Sequence, residues 1–172
     1  IVLQMNDFEK NISILLNNIA KKYNLIFYFF RIFTFSGEWW MYITYAFITI
    51  LIDTNIGIEA IKLGLLAYGI HYPSYYLIKN ITKRNRPFEI YKEVKALVKP
   101  PDKYSLPSGH SSGTMISALI TNSFFDGLNL LFIWPVIVGL SRVFLGVHFL
   151  SDTIFGLILG FLSFYIANII IY

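Results

Sequence analysis

Cysteine is absent from the 172 residues, which excludes disulfides, thiolate nucleophiles and cysteine-ligated metal sites and leaves the redox compartment undefined. Charge is scarce too: Asp, Glu, Lys and Arg make up 14% of the chain, and from Tyr104 to Tyr172 only Asp126, Arg142 and Asp152 carry formal charge. A water-facing surface cannot be assembled from that stretch. A secretory signal pattern is missing, since Asp7 and Glu9 precede the first apolar run and no small-residue cleavage site follows it, so insertion is expected to rely on the helices themselves. No internal repeat, low-complexity tract or linker divides the chain, and one domain over residues 1–172 is expected. His71, His110 and His148 are scattered and the acids do not cluster, so neither a zinc nor a magnesium site is expected.

What is present is hydrophobicity. It reaches 56%, against roughly 45–50% in soluble domains. Stretches near 56–78, 127–147 and 152–172 match the ~20 apolar residues of a bilayer span, and 38–53 and 111–125 join them once flanking residues are counted. Residues 7–22 place Phe8, Ile12, Leu15, Leu16 and Ile19 at helical spacing opposite Glu9, Lys10, Asn17, Lys21 and Lys22, an interfacial amphipathic pattern. Residues 23–35 are apolar but short and interrupted by Arg31, so they either extend that helix into a first span or stay at headgroup level. Gly37 breaks the pattern, and Trp39, Trp40 and Tyr42 then supply an aromatic belt. A division near residues 126–130 separates two later helices, and Gly156 with Gly160 marks a face for close packing within the bundle. The expected fold is all-α: an integral-membrane helical bundle of five or six transmembrane helices with an amphipathic N-terminal helix.

Eight of the 14 basic residues, Lys79, Lys83, Arg84, Arg86, Lys92, Lys95, Lys99 and Lys103, fall in one segment with only Glu89, Glu93 and Asp102 as acids. Such a segment is an anion trap or a topology anchor. Three small constellations lie in or after it. Lys79 precedes Arg86-Pro87; Pro107-Ser108-Gly109-His110 opens an apolar helix; Ser141-Arg142 is followed by His148 and Asp152. Taken singly, the first reads as anchoring and the second as an ordinary helix cap. The third places ionisable groups at the ends of apolar helices, where they are costly and mark function. If helical, His148 and Asp152 share a face at four-residue spacing. The segments 111–125 and 127–147 form a hairpin that returns the chain to the same side, so all three constellations can meet.

Together these residues resemble the three-part signature of the type 2 phosphatidic acid phosphatases, whose soluble relatives include bacterial acid phosphatases and vanadium haloperoxidases. The motif-bearing resemblance covers residues 79–152, and nothing residue-specific is carried to the amino-terminal third. It implies His148 as nucleophile forming a phosphohistidine, Asp152 as its orienting carboxylate, and His110 as general acid and then base. It further implies a phosphate cradle of Lys79, Arg86 and Arg142 with Ser108 and the Gly109 amide, and no cofactor or metal. Three cations in one dry pocket repel one another, which makes phosphate the expected ligand. Lys83 and Arg84 fall outside the signature and are assigned to anchoring; His71 is assigned no role.

The expected partners are a lipid phosphate and the bilayer, not nucleic acid. Candidate substrates are phosphatidylglycerol phosphate, phosphatidic acid, a polyprenyl diphosphate or a lipid A phosphate. The compact chain looks bacterial, and a site at the periplasmic face of the inner membrane is expected. Two rivals stand beside this: a non-catalytic lipid-binding or transport protein that keeps the pocket, and, more remotely, a haloperoxidase.

Overall fold

The computed structural model describes residues 7–125 and 128–172; Asp126 and Gly127, where part of the expected division falls, lie outside the described residues. Every regular element described is helical: α1 (Asp7–Lys22), α2 (Asn24–Ser36), α3 (Trp39–Ile52), α4 (Thr54–Thr82), α5 (Pro87–Ile90), α6 (Gly109–Phe124), a short 3-10 turn (Asn129–Phe132), α7 (Ile133–Phe144) and α8 (Leu150–Ile171). The apolar stretches at 38–53, 56–78, 111–125 and 152–172 therefore become α3, α4, α6 and α8. The stretch at 127–147 yields only the 3-10 turn and the short α7. Residues 23–35 form a helix of their own. Among the described residues one helix, Leu150–Ile171, is by itself long and apolar enough to cross a membrane.

Helices α4, α6 and α8 pack around Leu63, Ala67, Ile116, Phe164 and Ala167. The α6–α8 contact is a backbone approach: a Cβ on Gly156 would lie 2.5 Å from the Ser108 carbonyl oxygen, and one on Gly160 2.4 Å from that of Ser112. The two glycines thus serve packing within the chain. Asp53 caps α4 by accepting from the Asn55 and Ile56 amides at 2.9 and 3.0 Å, and α3 and α4 form an antiparallel hairpin in which Gly57 abuts Ile50. Because α4 ends at the signature lysine, the far end of α3 lies at the opposite end of the bundle. Helix α2 is anchored at the signature end, with Phe30 stacked on Phe144 of α7 at 4.0 Å between ring centroids.

Helix α1 turns a polar stripe to the bundle, in keeping with the interfacial pattern of its sequence. Its buried stripe is Ser13, Asn17 and Ala20, whereas Phe8 and Leu15 are 58% and 57% exposed. The reason is a specific polar join. Asn17 accepts from the Lys95 amide at 2.9 Å and donates to the carbonyls of Lys95 and Phe144 at 3.0 and 3.1 Å. One amide side chain so ties α1 to the long loop after α5 and to the end of α7, leaving Phe8 and Leu15 exposed and Ile12, Leu16 and Ile19 partly buried.

Candidate active site

The three constellations meet at one end of the bundle. Ser108 donates its amide to the Asp152 carbonyl at 2.9 Å, and Arg86 Nη1 donates to the Val147 carbonyl at 2.6 Å. The loop after α7 folds back, the amides of Val147 and His148 both reaching the Arg142 carbonyl at 3.1 and 3.2 Å. Gly146 makes that turn possible at φ +76°, with the Lys95 carbonyl only 2.4 Å from where a Cβ would stand. Lys79, Arg86, Ser108, His110, Arg142, His148 and Asp152 are all buried.

His148 precedes α8 instead of lying in it. Its Nε2 stands 3.2 Å from Arg86 Nη1, and since guanidinium only donates, Nε2 accepts and the ring proton sits on Nδ1. The charges of Arg86, Arg142, Lys79 and His110 all reach the ring. Burial, then Arg86 and Arg142, hold His148 well below the usual imidazole range. A neutral imidazole with its Nε2 lone pair turned to a cationic cluster has the chemistry that nucleophilic attack on an anion requires.

The expected His148–Asp152 hydrogen bond needs correction. Nδ1 and Oδ2 are 3.5 Å apart, an ion-pair distance, but Nδ1 makes no hydrogen bond among the described residues. Asp152 Oδ2 instead accepts from the Phe149 amide at 2.8 Å, closing the first turn of α8, and Oδ1 accepts from Arg84 at 2.6 Å. Arg84, assigned above to anchoring, is a buried bridge: its other nitrogen donates to Glu9 of α1 at 2.6 Å, and Glu9 also accepts from the Ser151 amide at 3.1 Å.

The expectation that phosphate alone relieves the repelling cations also needs correction. Asp102, on the loop before α6, accepts from Lys79 at 2.9 Å, Arg86 at 2.8 Å and Tyr75 at 2.5 Å. Lys79 and Arg86 further donate to the Tyr104 carbonyl. Burial pushes the Asp102 carboxyl up, but the Lys79 charge, hydrogen bonds from Lys79 and Tyr75, and Arg86 together hold it below its ordinary value. Arg142 is served differently. Its Nη1 donates to Thr34 of α2, while its Nε and Nη2 are buried and make no hydrogen bond among the described residues. Orphaned guanidinium donors are expensive, and an oxyanion with several acceptor oxygens suits them.

Ser108 caps α6, its hydroxyl oxygen accepting from the Ser111 hydroxyl at 2.9 Å and amide at 3.4 Å; the cap and the phosphate reading are compatible. Gly109 lies against Tyr75, whose ring a Cβ would meet at 3.2 Å. His71 is a buried core histidine whose Nε2 pairs with the Ser112 hydroxyl at 2.7 Å, while its Nδ1 has no hydrogen-bond partner among the described residues. Among the described residues no three His, Cys, Asp or Glu gather as a metal site would require. Glu38, which sequence reasoning passed over, stands 3.4 Å from His110 Nε2. The available signal was a lone carboxylate between two apolar stretches.

A model of the PAP2 superfamily matches residues 60–172, which hold every signature position. The chain belongs to the PAP2 superfamily. Among relatives of known activity, a decaprenylphosphoryl-5-phosphoribose phosphatase of Mycobacterium tuberculosis is 36% identical over 84 residues, 49% of this chain and 46% of its own. An undecaprenyl-diphosphatase of Sulfolobus acidocaldarius is 30% identical over 125 residues, 70% of this chain and 58% of its own. The chain thus spans about half the length of these curated relatives. In fold it is similar to Aquifex aeolicus LpxE, with TM-score 0.82, 22% identity and coverage of 98% of this chain and 99% of that one. It is also similar to a transmembrane PAP2 type phosphatidylglycerolphosphate phosphatase from Bacillus subtilis, with TM-score 0.73, 22% identity and coverage of 96% and 87%. These likenesses extend the PAP2 fold to the amino-terminal helices that the family model leaves unmatched.

Proposed function

We propose that this protein is an integral-membrane, metal-independent phosphatase acting on a lipid phosphate or diphosphate through a phosphohistidine. The observation that carries the reading is the pairing of a neutral, buried His148 Nε2 beside Arg86 with the orphaned donors of Arg142. His148 attacks phosphorus in line; Lys79, Arg86 and Arg142 take the equatorial oxygens, displacing the Asp102 carboxylate; Ser108 and the Gly109 amide complete the cradle. Asp152 stabilises the imidazolium formed on attack, and His110 serves the leaving group and then the water.

The lipid part of the reading rests on the surface. Leu25, Leu51, Leu65, Ile169 and Ile170 are each more than half exposed, a belt that water does not tolerate and lipid does. Helices α2 and α3, of 13 and 14 residues, are each too short for a ~30 Å hydrocarbon core, and we read them as two halves of one broken crossing, with α4, α6, α7 and α8 completing the bundle. A phosphate site at one end of such a bundle selects substrates whose chain stays in the bilayer. Phosphatidylglycerol phosphate, phosphatidic acid, polyprenyl diphosphates and lipid A phosphates all meet that condition.

Release of inorganic phosphate from those four lipids in detergent micelles tests the proposal. Turnover insensitive to EDTA and blocked by vanadate is expected; lipid binding without phosphate release would overturn it in favour of a carrier. We read the site as extracytoplasmic; Lys79, Arg84 and Arg86 are committed to buried ion pairs, so they do not count as topology charges against that reading. With no native cysteine, Lys103→Cys in intact cells should react with an impermeant maleimide.

A further inference from the structure

The two histidines of the site are provided for unequally within residues 79–152. His148 has Asp152 four residues away, but among the described residues of that region His110 has no carboxylate partner. Its ring is buried, and the charges of Arg142 from α7 and Arg86 from the segment before α5 both bear on it; His148 lies within charge range as well. Two guanidiniums oppose a positive imidazole at position 110. A general acid that protonates a departing alkoxide must nevertheless carry its proton when the reaction starts.

The opposing charge comes from the break between α2 and α3. Glu38 Oε1 stands 3.4 Å from His110 Nε2, with no other carboxylate among the described residues at ion-pair distance from that ring. The break is a built feature. The last carbonyls of α2, which a helix end leaves without intrahelical partners, are taken up by side chains: Tyr42 donates to the Gly37 carbonyl and Tyr45 to the Ser36 carbonyl, both at 2.8 Å. Trp134 of α7 donates to the Ser36 hydroxyl at 2.8 Å. Gly37 permits the approach, because a Cβ there would meet Val138 at 3.0 Å and the His110 ring at 3.2 Å. An interrupted helix that puts a carboxylate against one buried ring is what a charge-holding contact requires.

We infer that Glu38 is a positioning residue that holds His110 as the imidazolium needed for leaving-group protonation. The inference rests on the phosphatase reading above. In the first step the His148 Nε2 lone pair forms the P–N bond as the bond from phosphorus to the leaving oxygen breaks, and His110 gives that oxygen its proton. In the second, a water oxygen bonds to phosphorus, the P–N electron pair returns to Nε2, and the water proton passes to His110. His110 Nε2 stands at ion-pair distance from Glu38 without closing a hydrogen bond among the described residues; with that side of the ring given to Glu38, the proton in transit is the one on Nδ1. Glu38 touches no reacting atom and keeps its own charge throughout.

The experiment compares two esters of equal chain length in micelles, a long-chain alkyl phosphate and a long-chain nitrophenyl phosphate, whose nitrophenolate departs without a proton. Glu38→Gln should lose about 100-fold on the alkyl ester and no more than about threefold on the aryl ester. The basic limb of its kcat/KM profile should move to lower pH, and Glu38→Asp should recover part of the alkyl rate. The ratio of the two rates in one preparation is independent of the fraction folded, so a poorly folding variant still answers. Equal losses on both esters, an unchanged alkyl rate, or an unmoved basic limb would overturn the inference while wild-type turnover left the phosphatase reading standing. A wild-type protein that releases phosphate from neither ester nor from any of the four lipids would overturn both.

Discussion

Residues 79–152 and residues 7–53 build one site by different means. The first region supplies the reactive groups, and they are recognisable because phosphoryl transfer dictates residue types: a nucleophilic imidazole, forked cations, an acid and a helix start. The second supplies Glu9, Asn17, Thr34 and Glu38, each of which reaches across to hold something in the first: Arg84, the loop at Lys95, Arg142 and His110. Chemistry narrows the first set to a few residue types at fixed spacing. Support can come from any side chain that reaches, so the second set carries no pattern of its own.

That contrast is open to being broken. The largest effect expected is His148→Ala, which should lower kcat on a lipid phosphate by on the order of 10⁴-fold or more with an unchanged melting temperature; near-normal turnover would end the division at its root. Next is Arg142→Lys, which keeps the charge but loses the planar fork with its unbonded nitrogens, and should cost about 10²–10³ in kcat/KM.

Arg84→Met cuts the ion pair to Glu9 that crosses between the regions, strips the buried Asp152 carboxylate of its cation, and should destabilise the fold by about 3–5 kcal/mol in detergent unfolding curves. Asn17→Ala, which removes the join from α1, should cost about 1–3 kcal/mol while leaving kcat close to wild type. A large loss of kcat in fully folded Asn17→Ala would show that the amino-terminal region does more than support. Glu38 is the one member of that region for which a chemical effect is expected.

The smallest effect expected is a pH dependence. Asp102 is held below its ordinary value in the folded protein, so its charged form is favoured by folding: the stability it contributes is present above the unfolded carboxyl pKa of about 3.9 and is lost as pH falls through the lower folded value. Asp102→Asn should therefore flatten the fall of melting temperature between about pH 4 and pH 2. An unaltered slope would mean that the loop carboxylate is not coupled to Lys79 and Arg86 in solution.

Much of the fold could be read from residue order, because apolar runs of the right length leave few options: α3, α4, α6 and α8 fall close to where hydropathy puts them. What joins α1 to the bundle could not: its two-sided pattern marks an interfacial helix, but nothing in it singles out Asn17 as the side chain that ties it to the Lys95 loop and to α7. The length of α7 was equally hidden, since a 3-10 turn and a helix share one apolar run.

By itself the sequence determined the class of the molecule and singled out the side chains proposed to react. A chain with so little charge beyond Tyr104 must cover itself with something other than water, and phosphoryl chemistry requires particular side chains at particular spacings. Only the tertiary structure decided which groups neutralise and aim them: Arg84 rather than His148 as the stronger mate of Asp152, Asp102 across Lys79 and Arg86, and Glu38 against His110. Electrostatic partnership depends on distance through space, and a charge 72 residues away in the chain, as Glu38 is from His110, leaves no mark in sequence spacing.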